Sequence, residues 1–203
     1  MSLIKPMRFF LSDGLVPPLD LEGVTKLTST KGTMDACNQL MKLLSVLNPE
    51  VTPIVLITVG SIELSLDTIG GKLPLSYVSE KRDKLRKKLV RKIMDPLHLL
   101  ADYLWKYEGK LMIGTLIPLP GNVDIPTKEY RDLLFDAYED CNDEIHDINR
   151  RFNNGRSFHL GVKFEKRNKA FSCRAGLFEG EKKLSENGKT LAKDRCSSIF
   201  REL

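Results

Sequence analysis

The run PIVLITVG at 53–60 decides the fold class of this chain. Ile54, Val55, Leu56 and Ile57 are apolar without alternation. A strand with one face in water alternates, so this one is expected to be buried on both faces, as in a parallel sheet. Upstream, MRFFLS (7–12) reads as a second such strand, ended by Asp13 and Gly14, and Val24–Thr28 as a short third. Between them and the central run, Thr33–Leu47 carries Met34, Leu40, Met41, Leu43, Leu44 and Leu47 at helical spacing, stopped by Asn48-Pro49. Downstream, Ser79–Tyr107 reads as a long helix with a kink near Pro96, and KLMIGTLIPLP (110–120) as a buried strand. Thr127 caps a helix reaching Phe152, SFHLGVKF (157–164) reads as a further strand, and Ser185 opens a last helix. Strands alternating with helices predict an α/β fold, a three-layer α/β/α parallel sheet of flavodoxin-like type, in one domain over 1–203.

Composition narrows the class. Of 203 residues, 41% are hydrophobic, too many for a disordered chain. No apolar run approaches the ~20 residues of a membrane helix. The opening MSLIKPMRFFLSDG lacks the apolar core of a signal peptide, so a soluble, cytoplasmic protein is expected. Cys37, Cys141, Cys173 and Cys196 are far apart, and His98, His146 and His159 are isolated. Neither a disulfide framework nor a metal site is indicated, and no cofactor is expected.

The net charge of +5 hides segregation. Residues 1–100 hold 14 Lys/Arg against 10 Asp/Glu, 101–152 hold 6 against 11, and 153–203 hold 12 against 6. The densest cluster is EKRDKLRKKLVRKI (80–93). On a helical wheel Leu85, Leu89, Val90, Ile93 and Leu97 form a buried arc. Lys81, Lys84, Lys88, Arg91 and Lys92 form a stripe opposite, while Arg82 and Arg86 lean toward the apolar side and the acids of a neighbouring helix. Such a stripe suits phosphates, each of which releases a counterion when neutralised; it is also what a solvated helix face looks like. A second basic region, 163–176, interleaves Arg167, Lys169 and Arg174 with Phe164 and Phe171, a mixture that suits single-stranded nucleic acid unless the rings are core. The acidic stretch 128–147 reads as a solvated face.

Parallel sheets place their sites at the C-terminal ends of the strands. The loops there resemble, block by block, those of the SGNH (GDSL-type) hydrolases. FFLSDGL stands at the GDS block, STKGT (29–33) at the block that supplies an oxyanion glycine, TVGSIEL (58–64) at the GxND block, and KKLSENGKTLAKD (182–194) at the segment after DxxH. Asp13, Gly32 and Gly60 match. Gly14 stands at the nucleophile, Ile62 at the oxyanion Asn, Lys183 at the His and Gly180 at its Asp. These replacements imply a chain that is not an enzyme, unless Ser12 or Ser61 acts as a displaced nucleophile.

A basic chain of this pattern is similar to the OSK domain of the Oskar family of insect germ-plasm organisers. The resemblance implies binding of mRNA, in 3′ untranslated regions of germ-plasm transcripts such as nanos. It also implies assembly of ribonucleoprotein granules in pole-cell formation, with germ-plasm proteins as further partners and neither a membrane nor a small-molecule substrate. Lys31, Arg174 and Lys183 are expected to converge at the former cleft, with Arg195 extending the patch. The alternative is a protein-interaction module whose basic surface recruits acidic partners.

Overall fold

The computed structural model describes residues 6–48, 50–153 and 155–203. The proposed stop at Pro49 and the first five residues of the opening segment lie outside them. Strands β1 (Met7–Ser12), β2 (Val24–Thr28), β3 (Pro53–Thr58) and β4 (Lys110–Ile113) form one parallel sheet in the order β2-β1-β3-β4. The register sets Leu11 of β1 beside Leu27 of β2 and Ile57 of β3.

Alternate residues of the inner strands enter opposite layers. Phe9, Leu11, Val55, Ile57, Leu111 and Ile113 pack in one core with helices α1 (Thr33–Leu44), α2 (Leu75–Trp105) and α4 (Lys128–Phe152). Phe10, Leu56 and Met112 pack in the other with α5 (Glu186–Glu202) and Phe158, Leu160 and Phe164. A single turn, α3 (Pro120–Val123), precedes α4. No helix among the described residues is long and apolar enough to cross a membrane.

Three expectations are corrected. The segment 157–164 is not a strand. Only a bridge from Phe158 to Gly114 remains, and Gly161–Lys163 winds into a 3-10 turn. The Gly161 amide donates to the Thr115 hydroxyl at 2.9 Å, which draws the chain out of the sheet. The run at 110–120 likewise leaves the sheet after Ile113. The third correction concerns α2, which passes through the buried Pro96 with helical backbone and departs from it instead at Lys81 (φ −111°, ψ 18°). Burial of the proline ring against the first core offsets its missing amide, while the exposed first turns are free to bend.

The α2–α4 contact explains the acidic stretch. Asp136 accepts from the Arg82 guanidinium at 2.5 Å, Asp140 lies 3.2 Å from Arg86, and Glu144 lies 2.7 Å from His98. Those three acids pair across to α2 while remaining partly exposed.

Candidate functional site

The motif loops do meet at the C-terminal rim of the sheet. Asp13 is 5% exposed and ties two of them together, accepting from the Gly60 amide and the Leu15 amide, each at 3.1 Å. Burial pushes its carboxyl up to about 6, opposed by those backbone amides. Ser12 is fully buried; its hydroxyl donates to the Val16 carbonyl at 2.7 Å and accepts from the Gly14 amide at 3.1 Å. The Ser61 hydroxyl accepts from the Ile117 amide at 2.8 Å. Gly14 itself is exposed at φ +93°, a backbone region that favours glycine.

At the second block the structure shows a group that sequence reading passed over. Glu63, three residues after Gly60, reaches the N-terminus of α1. Its carboxylate accepts from the Thr33 amide at 2.6 Å and from the Thr33 hydroxyl. It also covers Gly32, where an added Cβ would lie 2.6 Å from Glu63 Oε1. The position expected to donate to an anion thus already faces a carboxylate of the chain. A carboxylate at a helix N-terminus satisfies orphan amides and the helix dipole together. Asp35 nearby accepts from the Ser29 hydroxyl at 2.5 Å. The rim thus carries three carboxylates, Asp13, Asp35 and Glu63, among the loops that the sequence predicts to be basic.

The histidines have other surroundings. His98 pairs with Glu144, and His146 and His159 lie with ring centroids 4.5 Å apart and planes tilted by 46°. Cys37, Cys141 and Cys196 are buried, and burial pushes the Cys37 and Cys196 thiols up to about 12. Among the described residues no group of three His, Cys, Asp or Glu gathers at metal-binding distance.

The segment that best matches the hydrolase pattern has a structural reason. Ser185 caps α5, its hydroxyl accepting from the Gly188 amide at 3.2 Å. Any side chain at Gly188 would overlap the Leu177 carbonyl. Lys183 and Gly180 lie exposed in the preceding turn, where the Glu179 amide donates to the Lys183 carbonyl.

No family model matches this sequence, and no curated relative does. Solved structures match it over nearly its whole length. A lipolytic protein of the G-D-S-L family from Veillonella parvula is 14% identical, with 97% of this chain and 98% of that one covered at a TM-score of 0.55. A GDSL-like lipase from Bacteroides thetaiotaomicron is 12% identical, covering 96% and 87%, at 0.53. An acetyl xylan esterase is 14% identical, covering 95% and 98%, at 0.54. The fold is that of the SGNH (GDSL-type) hydrolases. This corrects the expectation that the chain is not an enzyme. That expectation rested on the residues at Gly14, Ile62, Gly180 and Lys183 alone. The SGNH-type folds the chain matches belong to proteins named for lipid and ester cleavage.

The cationic residues fall on several parts of this SGNH-type fold. Lys84, Lys88, Arg91 and Lys92 are exposed along α2, with Lys87 beside them, and none has an acidic partner among the described residues. Lys81 differs, since it pairs with Glu80. Lys84, Lys87, Lys88 and Arg91 line a groove of ≈ 920 Å³ whose other wall is Ile69, Leu73, Pro74 and Tyr77. Arg195 rides on α5, in the layer across the sheet from α2, so it does not extend this row. Arg174 donates to the Lys163 carbonyl at 3.1 Å, and Lys31 is exposed just before Gly32. Arg167 and Lys169 are exposed, but the rings that flank them are not. Phe164 is fully buried and Phe171 is 6% exposed against Tyr138. That loop offers charge without a stacking surface.

Proposed function

We propose that this SGNH-fold chain binds RNA through the outer face of α2. The observation that carries the reading is the row Lys84, Lys87, Lys88, Arg91 and Lys92, exposed along one helix and without acidic partners among the described residues. Neighbouring cations of the same helix are paired, Arg82 with Asp136 and Arg86 with Asp140, as are Lys182 with Asp67 and Lys193 with Asp20 on other faces. Charge left unpaired on one face holds a polyanion by releasing its counterions. With the resemblance to the OSK domain of Oskar, the RNA is mRNA, bound in 3′ untranslated regions of germ-plasm transcripts. The setting is then the cytoplasmic ribonucleoprotein granule, with germ-plasm proteins as neighbours. Lys31, Arg167, Lys169, Arg174, Lys183 and Arg195 contribute as secondary contacts on other faces.

The test is RNA binding by fluorescence anisotropy for the wild type, Lys84→Glu/Lys88→Glu and Arg174→Glu/Lys183→Glu. The α2 pair is expected to lose tenfold or more in affinity with an unchanged melting temperature, and the second pair less. Equal losses, or none for α2, would remove α2 as the principal surface.

A further inference from the structure

The groove beside the cation row has a feature that phosphate binding does not require. Tyr77 is 40% exposed at the head of that row. Lys84, Lys88 and Arg91 fall at i, i+4 and i+7 beyond the bend, so these cations share one helix face. Tyr77 and these three cations line the same groove. Its apolar wall is held in place: the Tyr130 hydroxyl of α4 donates to the Leu73 carbonyl, and the Val78 amide donates to the Pro74 carbonyl at 3.0 Å. The bend at Lys81 separates the turn bearing Tyr77 from the straight part bearing the cations.

We infer that this groove takes single-stranded RNA, with one unstacked base seated on Tyr77 against Leu73 and Pro74, and the following phosphates on Lys84, Lys88 and Arg91. The inference rests on the RNA-binding reading above and adds the form of the RNA to it. Bases in an A-form duplex are stacked and paired, so no base face is free to enter such a seat. In a single strand every base presents a π-face, and an aromatic ring flanked by cations receives it without regard to sequence. A rise of ~1.5 Å per residue sets Lys84, Lys88 and Arg91 roughly 6 and 4.5 Å apart along α2, a track for a backbone rather than a point for one charge. An acidic peptide is the competing occupant; the cations alone admit it, whereas an exposed ring at the head of a continuous phosphate track favours a base.

The experiment measures binding of a uridine 20-mer, a 20-base-pair RNA duplex and polyglutamate to the wild type, Tyr77→Ala, Tyr77→Phe and Lys88→Glu. A base–aromatic contact is worth ~1–3 kcal/mol by alanine substitution, so Tyr77→Ala is expected to weaken the 20-mer about tenfold. Tyr77→Phe keeps the ring and is expected to bind as the wild type does. Duplex binding is expected to be indifferent to Tyr77, and Lys88→Glu to weaken both RNAs. Photo-crosslinking of a 4-thiouridine 20-mer to the wild type supplies a readout independent of the variants' folding. The crosslink is expected in the peptide 73–81. Equal 20-mer affinity for the wild type and Tyr77→Ala, with Lys88→Glu still impaired, would overturn the base seat and leave the RNA-binding reading intact. Wild-type binding to neither RNA would overturn both. Tyr77-dependent capture of polyglutamate in preference to the 20-mer would make the occupant an acidic peptide.

Discussion

The rim of the sheet and the outer face of α2 are both polar, and they differ in where their polar groups are directed. At the rim, Ser12, Ser61, Asp13 and Glu63 each bond to groups of the chain itself, and Asp35 holds Ser29. Along α2, five cations have no acidic partner among the described residues. Buried polar groups need partners because leaving them unmade costs their full desolvation. Exposed cations need none, since water serves them, and for that reason they remain available to a ligand. Substitutions at the rim should therefore register in stability, and substitutions on α2 in binding.

The largest stability effect is expected at Gly60. Its φ is +96°, and a Cβ there would lie 2.6 Å from Ile93 Cγ2 and 3.1 Å from Leu116 Cδ2. Overpacking and left-handed strain together put Gly60→Ala at about 3 kcal/mol of lost stability, read by chemical denaturation. A loss within error would mean the rim yields easily and is not the rigid half of the pair.

Asp13 comes next and acts through pH. The folded state keeps its proton up to about 6, the unfolded chain only to about 3.8. In that window the folded state binds more protons, so this group's contribution falls as pH rises through it and is level above about 6. The change is about 2–3 kcal/mol across the window. Denaturation of the wild type and Asp13→Asn between pH 4 and 7 checks it: their difference should shift by that amount.

Glu63→Gln should be milder, about 1–2 kcal/mol, since the amide oxygen still accepts from the Thr33 amide but the charge at the α1 N-terminus is gone. Thermal unfolding reads it. RNA affinity is expected to stay within twofold, which separates this carboxylate from the α2 surface.

What was legible in the sequence follows the same division. β1 and β3 could be read because burial on both faces leaves an unbroken apolar run, and the basic stripe because helical spacing is local. Glu63 was not legible. Its partner Thr33 lies 30 residues away, and an acid in a loop carries no local mark of what it caps. A glutamate at the acidic position of the GxND block was the one available signal. Tyr77 was missed because the helix was expected to begin at Ser79, whereas α2 begins at Leu75 and Tyr77 lines the groove beside the cations. The strand expected at 157–164 failed through a contact between Gly161 and Thr115, again remote in sequence.

The central claim is that RNA phosphates lie on the outer face of α2. The most direct measurement is the salt dependence of single-stranded RNA affinity for the wild type and Lys84→Glu/Lys88→Glu/Arg91→Glu. Each phosphate lost should remove about 0.7 from the slope of log affinity against log salt, so the triple variant is expected to be shallower by about 2. An unchanged slope, with the variant folded, would place the phosphates elsewhere and contradict the account.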